Sequence, residues 1–98
     1  MKFIVLFEDA ASAPGDVRQR YMQAHLAFLE RHVGVIEAAG PVADVEHKGR
    51  DGVWIVDAES VAAVEKLVHE DPFWETGLRA SVSILAWRQV YAGGERLI

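Results

Sequence analysis

Residues 16–33, DVRQRYMQAHLAFLERHV, form the stretch on which the predicted fold depends. At about 100° per residue, most of its apolar side chains fall on one arc of a helix, and its charged residues take the other side. The residues of that arc are Val17, Tyr21, Met22, Leu26, Phe28, Leu29 and Val33. Such a helix packs its apolar arc against another layer of structure. Asp16 is placed to cap its start, and Gly34 is placed to end it.

Two histidines, His25 and His32, lie near the middle of that apolar arc. Burying an imidazole without a partner costs on the order of 1–3 kcal/mol, so each ring requires a polar partner. His32 lies in the last turn, where a cation interacts favourably with the helix dipole, and this structural role is the favoured reading. For His25 two interpretations stay open: a core or interface histidine bonded to a carbonyl or water, or a functional residue.

Composition limits the classes of protein to which the chain can belong. Its 98 residues are 51% hydrophobic and 26% charged, which predicts one globular domain over residues 1–98. The net charge of −5 and the lack of a Lys/Arg cluster argue against nucleic-acid binding. Without cysteine, the chain has no disulfide or thiolate chemistry. It shows no signal-peptide pattern and no bilayer-spanning apolar stretch, so we expect a cytoplasmic protein with no membrane partner.

The order of the predicted elements is β-α-β-β-α-β. The predicted segments are strands 2–8, 35–42, 52–57 and 81–90, helices 17–33 and 61–70, a short turn at 72–76, and a polar hairpin connection at 43–51. Ser60 is a candidate cap for the second helix, and Asp71-Pro72 ends it. With right-handed crossovers, this order favours an α+β, ferredoxin-like fold. Its four-stranded antiparallel sheet carries both helices on one face.

The first and third strands predict a homodimer. Lys2–Glu8 (KFIVLFE) and Gly52–Asp57 (GVWIVD) carry apolar side chains on both faces, whereas two helices cover only one face of the sheet. The uncovered face would form an apolar patch larger than the few hundred Å² usual for a monomer. A second copy, packed sheet against sheet, would cover it. The alternative is a monomer whose tail, residues 91–98, folds over this face.

Several short motifs together resemble the YciI-like (YCII-related) family over nearly the whole chain. They are the opening strand, Ala24-His25-Leu26, Ala39-Gly40-Pro41, Asp71-Pro72-Phe73 and Ser81-Val82. The resemblance implies a dimeric α+β barrel and an active site built on a histidine–aspartate pair, which here would be His25 and Asp71. Some members of this family act as dehydrochlorinases on chlorinated hydroxyquinol-type aromatics. The chain departs from familiar members at Leu85-Ala86-Trp87, so the substrate is not carried over.

Six further residues are candidates for substrate binding, each with a purely structural alternative. They are Tyr21, Gly40, Pro41, Phe73, Trp74 and Ser81. The aromatic side chains could line a pocket or belong to the core, and Gly40-Pro41 could shape a pocket floor or only end a strand. Ser81 could donate to a ligand or cap the sheet. Asp71 has the arrangement of an N-cap with proline at the first helical position, which does not exclude pairing with His25.

The chemistry of such a pair is general acid–base catalysis. Histidine titrates near neutral pH, and a carboxylate on one ring nitrogen leaves the other for substrate. We therefore expect a small cofactor-independent enzyme that acts on a small oxygenated ligand, with aromatic and halogenated compounds among the candidates. The alternatives are a non-catalytic dimeric module that binds a small molecule or serves a larger assembly, and a monooxygenase of the same architecture. No metal site is expected, because the spacing of His25, His32, His47 and His69 matches no zinc pattern.

Overall fold

The computed structural model describes residues 1–43 and 51–98. The elements in chain order are β1 Lys2–Asp9, α1 Val17–Arg31, β2 Ile36–Val42, β3 Asp51–Asp57, α2 Val61–Glu70, α3 Pro72–Glu75, β4 Arg79–Trp87, β5 Tyr91–Ala92 and β6 Glu95–Arg96. The predicted hairpin connection, with His47, lies mostly outside the described residues. None of the described helices is long and apolar enough to cross a membrane.

The four long strands form one antiparallel sheet in the order β2-β3-β1-β4. β1 is a central strand, pairing with β3 on one side and β4 on the other. This is the predicted ferredoxin-like α+β arrangement, so the predicted fold class is confirmed. Since alternate residues of a strand point to opposite faces, β1 divides its side chains between the helix layer and the open face.

The core lies between one face of the sheet and the two long helices. Its buried residues are Phe3, Val5 and Phe7 of β1, Trp54 and Val56 of β3, Ile36 of β2, Phe28 of α1, and Val64, Leu67 and Val68 of α2. The hydroxyl oxygen of Ser60 accepts a hydrogen bond from the N–H of Ala63 at 3.2 Å, so it caps α2 as predicted. Because residues of α1 and α2 belong to this one core, both helices cover the same face of the sheet, as the βαββαβ order requires.

The first helix is shorter than the sequence predicts, and the stripe of side chains that it buries is narrower. It ends at Arg31, and Val33 is 83% exposed, so the expected place of Val33 on the buried arc is wrong. Its buried residues are Val17, His25 and Phe28. Tyr21 and Leu26 are more than one-third exposed, because α1 buries a narrow stripe against the sheet rather than a wide arc. The expected cap at Asp16 is also wrong, since its side chain makes no capping hydrogen bond.

The C-terminal tail forms a second, small sheet. β4 ends at Trp87, three residues before the predicted strand end, and β5 pairs with β6 around Gly93-Gly94, whose positive φ angles favour glycine. Tyr91, Leu97 and Ile98 are all more than half exposed. On the sheet, Leu6 is 40% and Leu85 48% exposed, so the described tail leaves these open-face side chains accessible to solvent.

Matched truncations on α2 test the packing of the helix layer. Val68 is completely buried, whereas Val61 on the same helix is 47% exposed. We expect Val68→Ala to lower the free energy of unfolding by about 2–3 kcal/mol, because it removes buried carbon atoms and leaves a cavity. Val61→Ala should change it by less than about 0.5 kcal/mol. Urea denaturation of both variants measures this, and equal losses would contradict the described packing.

Candidate active site

Asp71 lies where α2 ends and α3 begins. Its backbone is extended, with φ −65° and ψ 131°, as expected for the residue before Pro72. The chain therefore turns sharply here, and the carboxylate is directed into the protein instead of into solvent. Asp71 is only 1% exposed. A buried carboxylate of this kind needs several hydrogen-bond donors.

Three donors meet the Asp71 carboxylate. Oδ1 lies 2.9 Å from Nδ1 of His25 and accepts from the N–H of Phe73 at 3.1 Å, so Asp71 both caps α3 and contacts the histidine. Oδ2 accepts from Nη1 of Arg79 at 2.7 Å. Burial raises the pKa of the carboxyl, but the His25 hydrogen bond, the Arg79 charge and the Phe73 N–H together lower the pKa by more than burial raises it. The net pKa lies below its ordinary value of 3.8. Asp71 is therefore ionised at neutral pH.

The ionised carboxylate determines which nitrogen of His25 carries the proton. A carboxylate only accepts hydrogen bonds, so Nδ1–H donates to Asp71, and in the neutral ring Nε2 carries the lone pair. The Phe73 ring packs against the imidazole with centroids 4.5 Å apart. Within residues 1–43 and 51–98, no group makes a hydrogen bond with Nε2. The ring is thus oriented by two contacts, and Nε2 is left without a hydrogen-bond partner among the described residues.

Arg79 is a site residue that the sequence analysis missed. It begins β4, and its side chain is only 6% exposed. Its guanidinium carbon lies 3.8 Å from the centroid of the Phe7 ring, which stacks beneath it. Burial lowers the pKa of Arg79, and the adjacent Asp71 charge opposes that effect. An arginine remains protonated under these conditions, so the site holds a buried cation beside the histidine.

Arg18 and Asp9 form a second ion pair at the same end of the sheet. Nη2 of Arg18 donates to Oδ2 of Asp9 at 2.6 Å. Arg18 precedes His25 by seven residues, which places both on the same stripe of α1. That spacing is a signal from which Arg18 could have been identified. The polar stripe on the helix therefore contains an arginine and a histidine that both approach the sheet.

A cavity of about 130 Å³ opens beside His25. Its lining includes Arg18, Met22, His25, Leu26, Leu29, Ala39, Gly40, Pro41, Gly52, Trp54 and Arg79. A second cavity of about 370 Å³ adjoins it, since Arg18 and Pro41 line both. His25 lines the smaller cavity, which is therefore the one relevant to its chemistry.

The structure brings only part of the candidate set to this cavity. Gly40 and Pro41 line it, and Phe73 lies behind the histidine ring. Tyr21 lines a separate surface depression, and Trp74 packs against the ring of His69 with centroids 4.5 Å apart. Ser81 is exposed on β4, opposite Glu8 of β1. These three side chains lie away from the His25 cavity because the exposed sides of α1, α3 and β4 carry them.

The other histidines in the described part of the chain make structural contacts. His32 packs on Phe28 with ring centroids 4.6 Å apart, and its backbone N–H bonds to the carbonyl of Leu29 at the end of α1. Among residues 1–43 and 51–98, no three His, Asp or Glu side chains converge in a way that could hold a metal ion.

Comparison with known proteins gives a protein family and a similar solved structure of an enzyme. The model of the YCII-related domain matches residues 1–88. The solved structure of 5-chloro-2-hydroxyhydroquinone dehydrochlorinase from Burkholderia phenoliruptrix, in complex with 2,5-dihydroxybenzoquinone, is similar at 29% identity with a TM-score of 0.75. The match covers 90% of this chain and 94% of that chain. No curated protein matches the sequence.

Two more distant structures show the fold alone. A hypothetical protein from Arabidopsis thaliana is 12% identical with a TM-score of 0.53, over 94% of this chain and 89% of that one. A hypothetical protein from Pyrococcus horikoshii is 17% identical with a TM-score of 0.50, over 90% of each chain. The domain match at residues 1–88 ends before the β5–β6 hairpin and includes every element that contributes to the site. On this match, the chain belongs to the YCII-related domain family.

Proposed function

We propose that the chain is a small enzyme in which His25 and Asp71 carry out general acid–base catalysis on a small oxygenated ring compound. The observation that supports this most directly is the 2.9 Å contact between Nδ1 of His25 and Asp71, with the same histidine at the wall of a cavity. This chemistry requires no cofactor, since histidine can both accept and return a proton near neutral pH.

The proposed reaction begins at Nε2 of His25. Its lone pair takes a proton from the bound substrate, and the positive charge that forms on the imidazole is stabilised by the ionised Asp71. The hydrogen bond from Nδ1–H and the Phe73 contact hold the ring in one orientation throughout. The imidazolium can then return the proton to another atom of the substrate or to a leaving group. Isomerisation and elimination of a halide both fit this sequence.

The substrate class rests on cavity size and on one relative. An engineered cavity of about 150 Å³ in another protein binds benzene, so the 130 Å³ space beside His25 is of the right order for a single ring. The Burkholderia relative is named as a dehydrochlorinase of 5-chloro-2-hydroxyhydroquinone, and its structure contains 2,5-dihydroxybenzoquinone. We therefore propose hydroxylated rings, with or without a halogen substituent, as substrates and ligands of this chain.

The open face of the sheet supports a proposal about assembly. On the open face, Ile4 lies beside Ile55 and Leu85, and Leu6 lies beside Val53. Leu6 and Leu85 are 40% and 48% exposed, and the described tail does not bury them. A continuous apolar sheet face of this kind is covered in stable proteins by another layer. We propose that a second copy supplies that layer, sheet against sheet.

Replacing His25 tests the catalytic proposal. We expect His25→Gln to reduce kcat by about 10²–10⁴-fold on halogenated hydroxyhydroquinones, because the variant cannot accept the substrate proton. His69→Gln is the matched control, since His69 packs on Trp74 outside the cavity, and it should retain activity. If the unmodified protein binds 2,5-dihydroxybenzoquinone in calorimetry but turns over none of the halogenated hydroxyhydroquinones, the catalytic proposal is wrong. The protein is then a non-catalytic module that binds small molecules.

The ionised state of Asp71 predicts a pH dependence of stability. Because folding lowers the pKa of this carboxyl, its contribution is fully present above pH ~4 and is lost as pH falls through the folded pKa. Asp71→Asn keeps a side-chain oxygen to cap α3 but removes the charge. The free energy of unfolding in urea should therefore fall less between pH 5 and pH 2.5 for this variant than for the unmodified protein. Asp16→Asn, at an exposed position, should keep the full dependence, and identical slopes for Asp71→Asn would contradict the assignment.

A single charge on the open face tests the dimer. Leu6→Glu places a carboxylate among apolar side chains, and burying it unpaired in a dimer would be strongly unfavourable. Sedimentation equilibrium at micromolar concentration should show a dimer for the unmodified protein and a monomer for this variant. Val33→Glu, at the 83% exposed residue after α1, should remain dimeric. A monomeric unmodified protein would contradict the proposal.

A further inference from the structure

The guanidinium of Arg79 has more donors than Asp71 can use. It carries five N–H groups, and the hydrogen bond to Asp71 comes from Nη1. The described residues give this side chain no hydrogen bond besides the one to Asp71, although it is only 6% exposed. None of its nitrogen atoms is both buried and without a partner, so the unbonded ones remain accessible. It lines the same cavity as His25. Accessible guanidinium donors that border a cavity are suited to bind an oxygen of whatever occupies it.

The balance of charge around the cavity changes when His25 takes a proton. Arg18 is paired with Asp9, so these two charges cancel. Asp71 faces two groups, Arg79 and His25. With neutral His25 the four charged side chains sum to zero, and with protonated His25 they sum to one positive charge. A substrate that has lost one proton carries the single negative charge that matches this state.

Arg79 is the cation left to compensate the substrate anion. In its absence, the His25 imidazolium and Asp71 would neutralise each other, and the deprotonated substrate would lie uncompensated in a small cavity. Arg18 is less suited to this role, because its side chain is 30% exposed to solvent, whereas that of Arg79 is 6% exposed. The Phe7 ring, whose centroid lies 3.8 Å from the guanidinium carbon, packs against one face of the planar Arg79 guanidinium. A lysine ammonium is not planar and offers no such face.

We propose that Arg79 is a catalytic residue that binds the oxyanion of a phenol- or enol-type substrate. The inference rests on the proposed function and deepens it. In this step the O–H bond of the substrate breaks, its proton forms a bond with Nε2 of His25, and the electron pair remains on the oxygen. An N–H group of Arg79 donates a hydrogen bond to that oxygen. The substrate therefore requires an acidic hydroxyl group, and a neutral ring without one binds without this contribution.

Binding of a stable anion tests the assignment without turnover. The probe is 4-nitrocatechol, whose absorbance reports ionisation of its hydroxyl group, and the neutral comparison ligand is nitrobenzene. We expect Arg79→Gln to weaken binding of the ionised probe by about 10–100-fold, since a hydrogen bond to a charged group contributes about 1.5–3 kcal/mol. Nitrobenzene affinity should change less than about twofold. Arg20→Gln, which removes the same charge from an exposed side of α1, should bind both ligands as the unmodified protein does.

The outcomes distinguish oxyanion binding by Arg79 from a purely structural role. Selective loss of the ionised probe supports oxyanion binding. An equal loss of both ligands would show that Arg79 only maintains the shape of the cavity, and an unchanged Kd for the probe would also overturn the proposal. Arg79→Lys, which keeps the charge and loses the planar fork, should fall between the unmodified protein and Arg79→Gln.

A measurement on the unmodified protein covers the case in which these variants do not fold. In ¹H–¹⁵N spectra, the Arg79 Nε–H signal should shift on addition of 4-nitrocatechol more than the Arg18 signal does, and the absence of a shift would overturn the proposal. The proposals for His25 and for Arg79 can fail independently of each other. If His25→Gln retains activity while Arg79→Gln loses the probe, the oxyanion site stands and the acid–base role of His25 does not.

Discussion

The rest of the site depends on one buried carboxylate. Asp71 receives donors from three elements: the ring of His25 on α1, the first turn of α3, and the guanidinium of Arg79 on β4. Removing a charge from water costs several kcal/mol, and its partners return that cost only if every donor is in place. The relative positions of α1, α3 and β4 are therefore restricted by the hydrogen bonds of a single side chain. Because buried ion pairs contribute little net stability compared with apolar packing, stability alone does not account for the cluster, which agrees with the chemistry proposed for it.

That carboxylate also determines what the histidine can do. An imidazole on an apolar helix stripe could be a passive core residue, provided that both ring nitrogens were satisfied by protein groups. Here Nδ1 meets Asp71, and the ring lies at a cavity wall with Phe73 behind it. The lowered pKa of Asp71 keeps the proton on the histidine side of the contact. The tautomer is thereby fixed by local electrostatics, with no need for a bound ligand to select it.

The fold could be predicted because its signals are local and periodic. The continuous apolar run of β1, the helical period of α1 and the Asp71-Pro72 boundary each specify an element, and the βαββαβ order then leaves few topologies. The His25–Asp71 pair came from a family resemblance, since no local rule joins two residues 46 positions apart. Arg79 was missed because an arginine at the start of a strand is usually solvated, and its burial depends on the Phe7 ring from another strand. Tyr21 and Trp74 were wrongly predicted to lie near the site. The width of the buried stripe on a helix depends on the layer that packs against it, and the sequence of the helix does not specify that width.

The two faces of β1 connect the chemistry to the proposed assembly. Phe7 points to the helix layer and lies beneath the Arg79 guanidinium, while its neighbour Leu6 points to the open face. A shift of register by one residue would exchange these roles and remove the aromatic support from the cation. The register that leaves an apolar face open is thus the same register that places Phe7 beneath Arg79. The apolar residues on both sides of this strand, from which a dimer is inferred, are therefore also a requirement of the site. The side that carries Phe7 supports Arg79 at the cavity, and the other side is the open face for which a second copy is proposed.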